Sequence, residues 1–223
     1  MSKTTPSKAT NPRRKRPYRG VSAQERVAER RQQFIDAGLI CFGDDGYHAV
    51  TVKQLCQQAK LTERYFYESF AGREDLFAAV YEDAVERLQG LFLTASTPYA
   101  PKLSEMARAG LDVFYGLLRE DCRVARILMV EVLTVSPRME RRAQAATLRF
   151  ATLLEQMTAS SSRRSSSHIP DMNLIASGLI GATVHIAMRW IADGYHPGQS
   201  TVLDTTMLLF DGIIQKFGRV PNN

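Results

Sequence analysis

Residues 62–69 of this 223-residue chain, Thr62-Glu63-Arg64-Tyr65-Phe66-Tyr67-Glu68-Ser69, place a forked guanidinium, two hydroxyls and two phenols in one short stretch. At helical spacing Phe66 and Phe70 turn inward and anchor it, leaving the polar and phenolic side chains mostly outward. That set can bond base edges and phosphate oxygens, which is nucleic-acid chemistry rather than catalysis. Residues for other chemistry are scattered. His48, His168, His185 and His196 lack metal-ligand spacing, and Gly43-Asp44-Asp45-Gly46 lacks the oxygen spacing of a calcium loop. No nucleophile elbow, phosphate-cradling glycine loop or dinucleotide fingerprint occurs. The chain is not expected to be an enzyme, and no metal or cofactor is expected.

The elements that must position residues 62–69 are legible as helices. Apolar residues recur at helical spacing almost throughout and strand-like alternation is absent, which predicts an all-α fold of about nine helices. Ser22 with Glu25 forms a capping box before a first helix over about 23–42, with Ala28, Arg31, Ile35, Leu39 and Phe42 on one face. Gly43-Asp44-Asp45-Gly46 stops it. Thr51 with Gln54 is a second capping box, opening a short helix through about 59, and Thr62 can cap a third that ends near 70. Val52, Leu55, Cys56 and Ala59 face inward, and Leu61 plugs the turn between the short helices. Two short helices around a tight turn, packed on a longer first helix, is the helix-turn-helix layout. A plain three-helix packing unit with an aromatic core fits the same pattern. A long fourth helix starts near Arg73.

At 44% hydrophobic and 23% charged the composition is ordinary for a globular protein, but the net charge of +6 is unevenly placed. Residues 1–20 carry Lys3, Lys8, Arg13, Arg14, Lys15, Arg16 and Arg19 and no acid, leaving 22 basic against 23 acidic residues elsewhere. This Ser-, Thr- and Pro-rich arm cannot bury enough surface to offset its ordering entropy and is expected to be disordered in free solution. A polyanion is the physical reason to keep it, with a solubilising tail as the alternative. Residues 21–76 hold seven basic against nine acidic residues, so a DNA-binding head there needs help from outside. Arg13, Arg14, Lys15, Arg16 and Arg19 are placed to give it by reaching the adjacent minor groove. The three cysteines, Cys41, Cys56 and Cys122, lie in apolar helical contexts without CxxC pairing, which points to a reducing compartment. No apolar run follows the charged N-terminus, and the apolar stretch 174–188 is too short to span a bilayer, so a cytoplasmic location without a membrane partner is expected.

The stretch Gly46-Tyr47-His48-Ala49-Val50-Thr51-Val52-Lys53-Gln54-Leu55, followed by Ala59-Lys60-Leu61-Thr62, Tyr65-Phe66-Tyr67-Glu68-Ser69-Phe70 and Ala71-Gly72-Arg73-Glu74-Asp75-Leu76, resembles the N-terminal domain of the TetR family of bacterial transcriptional regulators. The match covers about residues 23–80 without gaps. The resemblance implies a phosphate contact for Thr51 and base or phosphate contacts for Thr62, Arg64 and Tyr65. It also implies a backbone hydrogen bond to DNA for Tyr67 and a phosphate contact for Arg73. Lys60 stands where the family's turn commonly has glycine, so a left-handed residue is expected there at a cost on the order of 1 kcal/mol. Arg64 and Ser69 replace the commoner glycine and histidine, so no operator sequence carries over.

Further helices are expected at about 102–119, 122–135, 138–158, 171–193 and 201–217, with a polar, Ser-rich linker over 158–168. Within it Arg163-Arg164-Ser165 resembles a basophilic phosphorylation site, though a solvated loop explains it as well. The resemblance divides the chain into the arm 1–20, a helix-turn-helix domain 21–72 and a helical ligand-sensing and dimerisation bundle 73–223. Phe92, Phe114, Tyr115, Leu118, Met129, Phe150 and Trp190 are candidates to line an apolar effector cavity, with His185 and Arg189 as polar anchors. All of them also fit plain core or interface. Small residues Gly178, Gly181 and Ala182 beside Leu174, Ile175, Leu179 and Ile186, and a broad apolar surface on 201–217, favour a four-helix homodimer interface over a purely internal core. The expected function is a homodimeric DNA-binding regulator on a near-palindromic operator, a repressor released by an unknown small-molecule effector. An activator with the same head, and a helical small-molecule binder without DNA binding, are the alternatives.

Overall fold

The computed structural model describes residues 22–159 and 171–218, so the basic arm and most of the Ser-rich segment, including Arg163-Arg164-Ser165, lie outside the described residues. Nine α-helices follow in order among the described residues: α1 (Ala23–Asp45), α2 (Val52–Ala59), α3 (Glu63–Ser69), α4 (Arg73–Ser96), α5 (Leu103–Glu120), α6 (Cys122–Met129), α7 (Pro137–Ala159), α8 (Met172–Ala192) and α9 (Gln199–Gly218). Three-residue 3-10 turns sit at Thr97–Tyr99 and Glu131–Leu133, and no strand occurs among the described residues. The all-α expectation holds. One expected helix, 122–135, is instead broken at Val130, which leaves helical geometry at φ −119° and tips the next three residues into the 3-10 turn.

Local chemistry explains the boundaries. Both capping boxes form: the Ser22 side chain accepts from Glu25 N, that of Thr51 from Gln54 N, and the Glu25 and Gln54 side chains reach back to the cap amides. Thr62 occupies the cap position of α3, but its hydroxyl makes no capping bond. Gly43 does not stop α1; it lies inside the helix, where a Cβ would sit 2.4 Å from Arg123 Cβ. Glycine there lets α1 and α6 cross at backbone distance. The stop is Gly46, at φ 84°, a conformation that disfavours any side chain. Lys60 holds the left-handed conformation expected of it, at φ 55° and ψ 35°.

Phe34 packs edge-on against Phe66 and Phe70, at centroid distances of 5.4 and 6.3 Å, and with Val50 and Leu55 closes the core of α1–α3. That core begins nearly two turns later than the sequence suggested, since Ala28 and Arg31 are exposed. Arg31 is not a misfit, because its guanidinium lies 5.1 Å from the Phe70 ring centre. Behind this unit α1 packs on α4 and α6, α4 on α5, α5 on α9 and α7 on α8. Two further expectations need correcting. Cys122, at the first position of α6, is exposed rather than an inward hydrophobe. The apolar stretch near 174–188 belongs to a 21-residue helix, α8, of mean hydropathy 1.5, which at about 31 Å is long enough to cross a bilayer. One stripe of α8, Ala176, Thr183, Ala187 and Trp190, is nonetheless buried in the subunit.

Candidate nucleic-acid interface and effector cavity

The turn at Lys60 aims α3 so that Phe66 is fully buried while Tyr67, one residue on, is 60% exposed. Arg64 projects from this face. Its Nε donates to Glu68 Oε1 at 3.0 Å, one helical turn along, with the arginine side chain 83% exposed. Thr62, its hydroxyl unused in capping, is exposed beside it. Tyr65 is half-buried, with the Arg30 guanidinium 4.4 Å from its ring centre, so α1 adds a cation to the flank of this face that the sequence reading missed.

Two residues expected to contact phosphate make hydrogen bonds within the chain. The Thr51 hydroxyl donates to Gln54 Oε1 at 2.7 Å while accepting from Gln54 N, so its donor is used by the cap. Arg73 is half-buried, donates to Tyr47 O at 3.2 Å and to Val50 O, and stacks 5.0 Å over the Tyr47 ring. It clamps the 46–50 loop that sets the angle of α2.

Farther along, α4 to α8 enclose a cavity of about 260 Å³. Phe92, Phe114, Met129 and Phe150 line it, as expected. Tyr115, Leu118, Trp190, His185 and Arg189 do not. Tyr115 is fully buried between α5 and α9; its Oη lies 2.7 Å from Thr206 Oγ1, which already donates to Val202 O, so the phenol is the donor. Its ring meets Trp190 edge-on at 5.6 Å, and Trp190 Nε1 donates to Pro197 O at 2.6 Å. These residues fasten the ends of α8 and α9. His185 is exposed, and Arg189 is exposed and faces Asp193 at 3.5 Å, because the phase that buries Thr183, Ala187 and Trp190 turns positions 185 and 189 outward. The sequence reading missed Tyr81 on α4, Val132 and Leu133 in the 3-10 turn, and Ala143, Ala146 and Thr147 on α7. The small side chains at i, i+3 and i+4 of α7 were the available signal, since they mark a helix face that leaves volume unfilled.

The wall of this cavity reaches the head. Between the lining residues Met129 and Val132, the buried carboxylate of Glu131 accepts from Tyr47 N at 2.9 Å and from Arg126 Nε at 2.9 Å. Arg126 also donates to Asp44 O at 2.7 Å and Gly43 O at 3.3 Å, satisfying carbonyls at the end of α1. Gly46 fits under this pair only without a side chain, since a Cβ would lie 2.7 Å from an Arg126 nitrogen. Arg123 donates to Asp44 Oδ1 at 2.6 Å and thereby holds that carboxyl below the usual carboxylate range. His48 Nε2 lies 3.2 Å from Thr134 O, and Ser136 Oγ donates to Glu74 at 2.9 Å.

Residues 34–80 match the family model of the bacterial regulatory proteins of the tetR family. Those residues are a DNA-binding domain of the TetR type. It is similar to the HTH-type transcriptional activator FasR of Mycolicibacterium smegmatis, at 24% identity over 79% of this chain and 80% of that protein. In fold it is similar to the fatty acid degradation regulator FadR from Bacillus halodurans, with a TM-score of 0.69, 15% identity, and coverage of 81% of this chain and 93% of that one. It is likewise similar to FadR from Bacillus subtilis, solved in complex with stearoyl-CoA, with a TM-score of 0.64, 16% identity, and coverage of 80% and 96%. The helix-turn-helix of this domain is α2 and α3, and the match bears out the resemblance read from residues 46–76.

Proposed function

We propose that this TetR-family chain is a homodimeric regulator whose operator binding is set by an apolar effector held in the cavity between α4 and α8. The observation that carries the reading is that one turn serves both sites: Met129, Val132 and Leu133 wall the cavity, and Glu131 between them holds the backbone just before α2. An effector that prefers one position of this turn prefers one position of the head, as linkage requires. Residues 21–72 act as the DNA-binding head and 73–223 as the sensing and dimerisation unit, in the cytoplasm. Relatives that regulate fatty acid metabolism, one of them solved with stearoyl-CoA, support an effector with an aliphatic chain.

Dimerisation through α8 and α9 is supported by what those helices leave uncovered. Leu174 is 71% and Leu208 74% exposed, and Gly178, Gly181 and Gly212 border open space. Covering these faces with a second copy brings two α3 helices onto one side of the dimer, suited to half-sites about 34 Å apart on a near-palindromic operator. Thr62, Arg64 and Tyr67 read that site, and Tyr65 supports it from its half-buried position.

Gel shifts against the DNA upstream of the chain's own gene test this reading. Arg64→Ala is expected to weaken the specific complex by about tenfold or more, the scale of one bidentate base contact, and Tyr67→Phe by less. No specific complex with any genomic fragment defeats the proposal. Deleting residues 1–19, with Arg13, Arg14, Lys15, Arg16 and Arg19, is expected to weaken binding and flatten its salt dependence; an unchanged salt slope removes the arm from the interface. Repression remains the direction we favour, while the activator among the relatives supports the opposite sign. Transcription from the bound promoter in a purified system separates the two.

A further inference from the structure

We propose that the cavity takes the buried part of an uncharged aliphatic effector, with the Tyr81 phenol hydrogen-bonded to that molecule's carbonyl or hydroxyl oxygen. This rests on the effector reading above and names the chemistry of its ligand. The volume of about 260 Å³ has room for roughly nine water-sized groups at ~30 Å³ each. Most of the lining is aliphatic or aromatic, and among the described residues it contains no Lys, Arg or His; its only ionisable groups are the phenol of Tyr81 and the carboxyl of Glu140, on an exposed residue of α7. The guanidiniums of Arg142 and Arg149 are engaged by Glu82 and are not part of the lining. A carboxylate or phosphate drawn into this space would lose its hydration and find no cation in the lining, the Arg149 charge felt at Tyr81 being already paired with Glu82, whereas an uncharged oxygen needs one donor.

Tyr81 is the buried donor of the lining, the amide of Gln144 belonging to an exposed residue of α7. It lines the cavity, is 4% exposed, and its hydroxyl makes no hydrogen bond among the described residues. Buried side-chain polar atoms that have neither a partner nor open space beside them reduce, among the described residues, to Arg149 Nε. The Tyr81 oxygen is therefore not sealed off, and the residue that carries it lines the cavity. Burial pushes its pKa up to about 12, so the phenol keeps its proton throughout the neutral range. The other hydroxyls of the lining have already spent their hydrogens: Thr147 Oγ1 donates to Ala143 O at 3.1 Å and Thr183 Oγ1 to Leu179 O at 2.8 Å. They can accept from a ligand but not donate to one, which leaves Tyr81 as the hydroxyl donor for a ligand oxygen.

The test uses the full chain and displacement of a neutral fluorescent naphthylamine, N-phenyl-1-naphthylamine, by two probes of equal chain length, nonan-1-ol and nonanoate, at pH 8. Nonan-1-ol is expected to displace the dye at least tenfold more tightly than nonanoate. Tyr81→Phe is expected to weaken nonan-1-ol about fivefold, the scale of one hydrogen bond, while dye affinity and melting temperature stay as in the parent. Nonanoate binding as tightly as the alcohol overturns the uncharged assignment. Unchanged nonan-1-ol affinity in Tyr81→Phe overturns the anchor. If neither dye nor probe binds the parent protein, the effector cavity itself falls, and this inference with it.

Discussion

Glu131→Ala is expected to loosen the head from the body and to blunt the effector response at the same time. The substitution removes the acceptor of the Tyr47 amide and the partner of Arg126 Nε together. Breaking a fully buried ion pair costs about 3–5 kcal/mol. Arg126 is 38% exposed and can regain water, so about 2–3 kcal/mol is the reasonable scale here, close to that of a buried donor left unpaired. Urea unfolding measures the stability loss, and gel shifts with and without effector measure coupling as the ratio of the two operator affinities. That ratio is expected to fall toward one while effector binding survives, because Glu131 turns away from the cavity that its neighbours line. Glu131→Gln keeps an oxygen for the Tyr47 amide but no charge for Arg126, and should fall between the two. A variant as stable and as responsive as the parent would show that the turn is a bystander.

Phe34→Ala should be still more damaging. Phe34 is fully buried where α1 meets α3, in edge contact with Phe66 and Phe70. Phe-to-Ala truncations in such sites cost about 3–5 kcal/mol, the transfer loss plus the cavity left behind. Specific DNA binding is expected to vanish, because α3 loses the support that fixes its angle, while the cavity 260 Å³ in size lies elsewhere and keeps its affinity for an apolar dye. Loss of both functions together would instead mean that head and body unfold as one unit.

These effects divide along the line of what the sequence revealed. Features set by neighbours along the chain were legible: both capping boxes and the boundaries of α2 and α3 follow from residues three or four apart, while the left-handed Lys60 followed from the family resemblance. The site on α3 was legible for the same reason, since the spacing of Phe66 and Phe70 fixes which side chains face out. Contacts across the fold were not. Arg73 looked available for phosphate because nothing local says that Tyr47 O and Val50 O will engage it. The cavity was half legible. Aromatic residues mark apolar volume but not whether it is filled, so Tyr115 and Trp190 were indistinguishable from Phe92 and Phe150 until the helices were assembled. On α8 the apolar residues run round the helix, which left the phase of His185 and Arg189 undetermined. Glu131 gave no signal, being a lone acid in a three-residue turn.

Lys60 sets two kinds of fitness against each other. Glycine occupies a left-handed position with less strain than lysine, so Lys60→Gly is expected to leave the head as stable or up to about 1 kcal/mol more so. The same change removes an exposed cation three residues before α3 from a head that is already short of positive charge. Operator affinity should drop and the salt slope lessen by about one unit if Lys60 meets a phosphate. A laboratory selection for heat tolerance would then enrich weak binders at this position, and one for tight binding would restore the strained turn.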